Sequence, residues 1–281
     1  MTSLQRQKIA FALLFLANLL VIVPVGLIVF IIIQKGWPAM TWQFITDIPR
    51  QGMRAGGIFP AIVGTIYLVS GAIVFALPVG LLAAIYLSEY AKDNLLTRII
   101  KLAIVNLAGV PSVVYGLFGL VLFVSFCKFG ASILSGSLTL GIMILPIIIT
   151  ASREALESVP HVFREVSLSL GASKWQTIRH IVLPNAIPGI ITGTILGIGR
   201  AAGETAPILF TVAAFYLPRL PSSVFDQVMA LPYHLYVIST QVPNVDPKIT
   251  YGTALVLLIL VLFVNLIAII IRARFRKKKK W

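Results

Sequence analysis

Uncharged, strongly apolar stretches recur along the chain at residues 9–34, 55–88, 102–127, 129–152 and 249–271. Each exceeds the roughly 20 residues that a helix needs to cross a bilayer. None shows the period-2 alternation of a barrel wall, so the pattern predicts membrane helices. A sixth stretch, 187–217, is apolar apart from Arg200 and Glu204. The expected fold class is therefore an all-α polytopic membrane protein, with one domain over 1–281. Its six transmembrane helices are expected at about 9–33, 58–88, 102–127, 131–152, 187–217 and 250–271. Pro60 and Pro78 mark boundaries or kinks in the second. The first is too long for a signal-peptide core of about 7–15 residues and lacks a small-residue cleavage site, so it reads as a retained span.

Composition agrees: 58% of residues are hydrophobic, 11% are charged and the mean hydropathy is +0.98. A soluble domain carries about 25% charged residues, so a soluble enzyme, a nucleic-acid-binding domain and a disordered chain are all excluded. The net charge of +14 then belongs to membrane-flanking loops. With six spans, 16 Lys and Arg fall on the side of both termini and 6 on the other, which predicts cytoplasmic termini. The C-terminal run from Arg272 to Lys280 flanks the last helix and also suits anionic lipid. The lone Cys127 has no disulfide partner, and His161, His180 and His234 are too scattered for a metal site. Trp37, Trp42, Tyr216, Tyr233 and Tyr236 read as an aromatic belt.

The segment 152–184 has its own helical grammar. Pro160 can start a helix, Val162, Val166 and Leu170 share one face, and Gly171 stands where a glycine ends a helix. Ser173 and Gln176 then form a capping-box pattern, Ile178, Ile181 and Val182 give a second apolar face, and Leu183-Pro184 is expected to end a second short helix. The two would make a knob that either lies on lipid or docks a cytoplasmic partner. Glu165, Gly171, Ile181, Leu183 and Pro184 have the spacing E-x5-G-x9-I-x-L-P, and so resemble the loop by which permeases of ABC importers engage their ATPase; Val166 and Ser167 replace the usual Ala-Ala. The resemblance implies a type I ABC-importer permease fold, a coupling helix involving also Ala172 and Ser173, and an ABC ATPase dimer as partner. No G-x4-G-K-[ST] phosphate loop occurs in the chain. It is thus expected to be a transport subunit, not an enzyme, without a cofactor of its own, ATP and Mg belonging to the ATPase.

Arg200 in a membrane helix must be compensated, since an arginine there costs about 2.5–3.5 kcal/mol on insertion scales. On a helical wheel it shares a face with Glu204 and with Gly189, Gly193 and Gly197, small residues that let another helix approach. Either the two charges neutralise each other structurally, or they serve a pathway. A guanidinium presents a fixed fork of donors that suits phosphate, sulfate or molybdate alike. Ser112 and Tyr115 in the third span are polar enough to line that pathway or simply to bond a neighbouring backbone.

The stretch from Arg200 through Glu204, Thr205, Ala206 and Pro207 to Thr211 resembles the PstA-type permeases of phosphate-specific ABC importers. So do Pro111 to Leu120, Gly57 to Thr65 and Ala83 to Tyr90. The related PstC type shares the Arg-x2-Gly-Glu-Thr core but continues differently. The resemblance implies phosphate uptake through Arg200, Glu204, Thr205, Ser112 and Tyr115, a second PstC-like permease, and an external phosphate-binding protein received by the outer segment 218–250. Membrane lipid is the remaining partner, and nucleic acid is not one. Another oxyanion, phosphonate included, or an ion-gradient-driven transporter or channel would fit the same buried pair.

Overall fold

The computed structural model describes residues 3–277. Helix α1 (Ser3–Gly36) is followed by a short turn of helix α2 (Trp42–Thr46) and a two-residue hairpin, β1 (Pro49–Arg50) paired antiparallel with β2 (Ala55–Gly56). Helix α3 (Phe59–Ile85) runs on through a π-helical turn, Tyr86–Tyr90; Pro60 sits in its first turn, where a missing N–H is harmless. Helices α4 (Leu95–Ala108) and α5 (Ser112–Gly119) follow, the latter extended by the π-helical Leu120–Phe126. Asn94 caps α4 by accepting from the Thr97 N–H at 2.9 Å. Helix α6 (Ile133–Glu157) starts at Ser132, whose hydroxyl accepts from the Ser135 N–H at 3.2 Å.

On the far side come α7 (His161–Ser169), then α8 (Lys174–Thr177), the π-helical Ile178–Val182 and α9 (Leu183–Gly203), which together form one continuous helix, Lys174–Gly203. Helix α10 (Ala206–Thr211), the outer helix α11 (Leu231–Thr240) and α12 (Pro247–Lys277) complete the chain.

Among the described residues, five helices are long and apolar enough to cross a membrane, and the pair α4–α5 makes a sixth if its two arms count as one broken span. This fits the all-helical, six-span fold class, with a difference in the third span. Where the sequence suggests a straight span over 102–127, the chain bends by 103° between α4 and α5. The cause is Gly109-Val110-Pro111, because a proline disfavours helical backbone in the residue before it and cannot donate into the preceding turn.

Helix α6 is the centre. Two thirds of its apolar window is buried (67%), against 0% for α1, which touches the body chiefly where Gly36 meets Tyr251 and Leu255 of α12. α3 and α9 flank α6, and small residues set the spacing. A β-carbon on Gly80 would lie 2.8 Å from Ile148, and one on Gly141 2.6 Å from Phe75. Such close approach is how helices gain dispersion energy where lipid offers no hydrophobic drive. One end of the molecule gathers the hairpin and α11; Arg54 Nε donates to the carbonyl of Pro243, just after α11, at 3.0 Å, and the hydroxyl of Tyr216, in the segment between α10 and α11, donates to the Pro49 carbonyl at 3.1 Å. The opposite end carries α7.

Candidate functional site

Gly189 and Gly193 of α9 seat against Ala155 and Ala151 of α6, and Gly197 faces Ile144 and Ile148. This antiparallel register puts Arg200 opposite the middle of α6. Residues 174–186 extend past the other end of α6 by about 20 Å at 1.5 Å per residue. The fifth long helix therefore begins well before residue 187.

Arg200 lies in the last turn of α9, where a cation also suits the helix dipole. Glu204 is not part of the helix: it is the capping residue, in extended conformation (ψ 130°). It reaches back to Arg200 with Nε donating to Oε1 at 3.4 Å, the two side chains being 30% and 20% exposed. The break arises because α9 stops at Gly203 and Pro207 fixes the first turn of α10. Only one edge of the guanidinium is engaged; its terminal nitrogens have no partner among the described residues. Behind Glu204 is a void of about 10 Å³ bounded by Thr65, Ile208, Ala230 and Pro232, room for a single water.

Thr205 starts α10, its carbonyl accepting from the Leu209 N–H at 3.1 Å. α10 packs on α5 at Gly116, one turn after Ser112. Ser112 and Thr205 are half-buried. Tyr115 is buried within electrostatic reach of Arg200, but its hydroxyl is already committed, donating to the Leu107 carbonyl of α4 at 2.7 Å. It braces the bend between α4 and α5.

At the other end, α7 exposes its apolar face: Val162 is 60%, Val166 54% and Leu170 83% exposed, beside a hollow of about 430 Å³ lined also by Phe163, Ala172 and Ile181. Glu165 is exposed on the same helix. Gly171 turns the chain at φ +84°, and the capping box forms, with the Ser173 N–H donating to Gln176 Oε1 at 2.7 Å and the Gln176 N–H to Ser173 Oγ at 3.3 Å. The second short helix, however, does not end at Leu183-Pro184. The wide π turn at Ile178–Val182 leads directly into α9 and accommodates Pro184 inside the continuous helix. One short helix, α7, projects rather than two.

Sequence reasoning missed the best-satisfied ion pair among the described residues. Glu89, at the end of α3's π turn, and Arg164 of α7 meet at 2.7 Å and are 7% and 13% exposed. Arg164 Nε also approaches both Glu89 oxygens at 3.2 Å, while Nη1 donates to the Val159 carbonyl at 2.7 Å and Nη2 to that of Leu156 at 2.9 Å. The residues are 75 positions apart; the available signals were an acid closing an apolar run and an arginine beside Glu165. His234 is buried with Nδ1 unpartnered, and burial holds its pKa down to about 4. No cluster of metal-ligating side chains occurs among the described residues.

The family model of binding-protein-dependent transport system inner membrane components matches residues 76–281. The phosphate transport system permease protein PstA 1 of Mycobacterium tuberculosis (strain ATCC 25618 / H37Rv) is 35% identical over 272 residues, covering 95% of this chain and 87% of that protein. The probable ABC transporter permease protein YqgI of Bacillus subtilis (strain 168) is 35% identical over 266 residues, 90% of each. Among solved structures, a bacterial alginate ABC transporter aligns with TM-score 0.69 at 14% identity, over 94% of this chain and 93% of its own. The inward-facing MetNI methionine ABC transporter aligns with TM-score 0.60 at 15% identity, over 78% and 97%. These distant structures establish the fold, that of a type I importer permease, and the sequence relatives establish descent. The chain is a member of the binding-protein-dependent transport system inner membrane component family, the permease component of an ABC importer.

Proposed function

We propose that this permease forms, with a second PstC-like permease, the transmembrane pathway for inorganic phosphate, with both termini cytoplasmic. The observation that carries the reading is the Arg200–Glu204 geometry. Glu204 engages only the Nε edge, at 3.4 Å, and the outward fork of the guanidinium stays free for an oxyanion. The permease relatives named for phosphate transport support the choice of ion. Arg200 would hold two phosphate oxygens, with Thr205 and Ser112 offering hydroxyls. Glu204, repelled by a fully ionised anion, would accept from a protonated phosphate oxygen or hold Arg200 between transport events. Tyr115, whose hydroxyl is spent on Leu107, would shape the path without binding the ion.

The exposed apolar face of α7, with Glu165, Gly171, Ala172, Ser173, Ile181, Leu183 and Pro184 framing it, would seat on an ABC ATPase dimer that supplies ATP and Mg. The cytoplasmic assignment rests on the excess of Lys and Arg at that end. The outer assembly of hairpin and α11 would receive the phosphate-binding protein, and nucleotide-driven closure of the ATPases would switch access from outside to inside.

The test is uptake of radiolabelled phosphate into proteoliposomes holding the complete complex. Uptake should require ATP, survive an uncoupler and resist excess sulfate or molybdate. Equal competition by those ions would overturn the substrate assignment, and collapse with the uncoupler would overturn the ATP-driven one.

A further inference from the structure

Three elements converge on the Arg164 guanidinium: α3 through Glu89, the end of α6 through the Leu156 and Val159 carbonyls, and α7, which carries it. A second link runs parallel, with Lys174 Nζ lying 4.9 Å from the centre of the Tyr90 ring. The Ser167 and Thr177 hydroxyls, 2.9 Å apart, tie α7 to α8. The helix that ends at Glu89 is continuous from Phe59 to Tyr90. At its other end Thr65 borders the void behind Glu204, and the Thr65 hydroxyl accepts from the Leu231 N–H at 2.8 Å. Thr65 and Glu89 are 24 residues apart, about 36 Å along a helix.

We propose that Glu89 and Arg164 are positioning residues that join the coupling helix to α3, so that displacement of α7 by the ATPase is delivered through α3 to the wall of the Arg200–Glu204 site. A fork-to-carboxylate contact suits this task, because its paired bonds fix direction as well as distance, which a lysine ammonium does not. Burial adds to it: neither charge can leave the contact without being stranded, so α7 and α3 move together. The apolar packing of Ile178 and Val182 against Ala84 and Ile85 holds the same region but lacks that directional constraint.

This inference rests on the chain acting as an importer permease, and its test is independent of the transported ion. In the assembled complex, with Cys127 replaced by Ser, Tyr67→Cys puts a thiol on an exposed position of α3 near Thr65. Its maleimide labelling rate is measured with and without ATP in three backgrounds: Glu89 and Arg164 intact, Glu89→Gln, and Arg164→Lys. The expected result is a nucleotide-dependent change of at least fivefold with the pair intact and less than twofold in either variant, the ATPase co-purifying in all three. Arg164→Lys guards against misfolding, since it keeps a cation for the Leu156 and Val159 carbonyls. An undiminished response in both variants would overturn the inference, as would a missing response with the pair intact. Loss of the ATPase from both variants would also overturn it, because the pair would then hold the docking surface together and transmit nothing. Failure of phosphate uptake alone would refute the substrate assignment and leave this readout untouched.

Discussion

A β-carbon on Gly116 of α5 would stand 3.0 Å from the carbonyl oxygen of Ala206 in α10 and 2.8 Å from the Phe210 ring. Backbone thus meets backbone where the chain restarts after the Arg200–Glu204 break. Overpacking such a contact costs about 1–3 kcal/mol. Gly116→Ala should lower the thermal midpoint in detergent and Gly116→Val should lower it further, with phosphate uptake falling in the same order. Wild-type stability and uptake in Gly116→Val would show that α5 and α10 are not held at this spacing.

Gly171 is the opposite case, since nothing lies within 4 Å of its missing β-carbon and only its φ of +84° demands glycine. The left-handed conformation costs other residues roughly 1–2 kcal/mol, asparagine least. Gly171→Asn should therefore retain more ATPase on co-purification than Gly171→Ala. The reverse ranking would indicate that the turn is not what presents α7.

His234 is neutral in the fold down to about pH 4. An unfolded histidine protonates near 6.5, so between these values the unfolded state binds more protons. Stability should be level above pH 7 and fall as pH drops from 6.5 toward 4, by up to about 1.4 kcal/mol per unit. Melting curves of wild type and His234→Phe across pH 7.5 to 5 should differ in that slope, and parallel curves would contradict it.

Tyr115→Phe removes one hydrogen bond, to the Leu107 carbonyl. It should cost about 1 kcal/mol of stability while leaving phosphate affinity near wild type. A large rise in KM without destabilisation would restore Tyr115 as a ligand.

The spans were legible because apolar length and charge placement are one-dimensional signals, and the α7 turn was legible because Gly171, Ser173 and Gln176 act locally. Two boundaries were not. The apolar run 102–127 reads as one span, yet Gly109-Val110-Pro111 breaks it by 103°, and packing of α5 on α10 and α6 holds the bend. Leu183-Pro184 looks like a stop, yet the π turn before it admits the proline. Glu89 and Arg164 could not be paired at all, since their contact depends on how α3 and α7 meet. Helical periodicity correctly put Arg200 on the glycine face but overextended the helix through Glu204.

We propose that Arg200 serves the ion rather than merely balancing Glu204. The decisive measurement is phosphate uptake by the assembled complex carrying Arg200→Leu and Glu204→Leu together. If the pair were only mutual neutralisation, removing both charges would repair what either single change damages. The expected result is a double variant that assembles with its partners and hydrolyses ATP yet imports no phosphate, with Arg200→Lys also impaired for want of the fork. Uptake restored to near wild type in the double variant would contradict it.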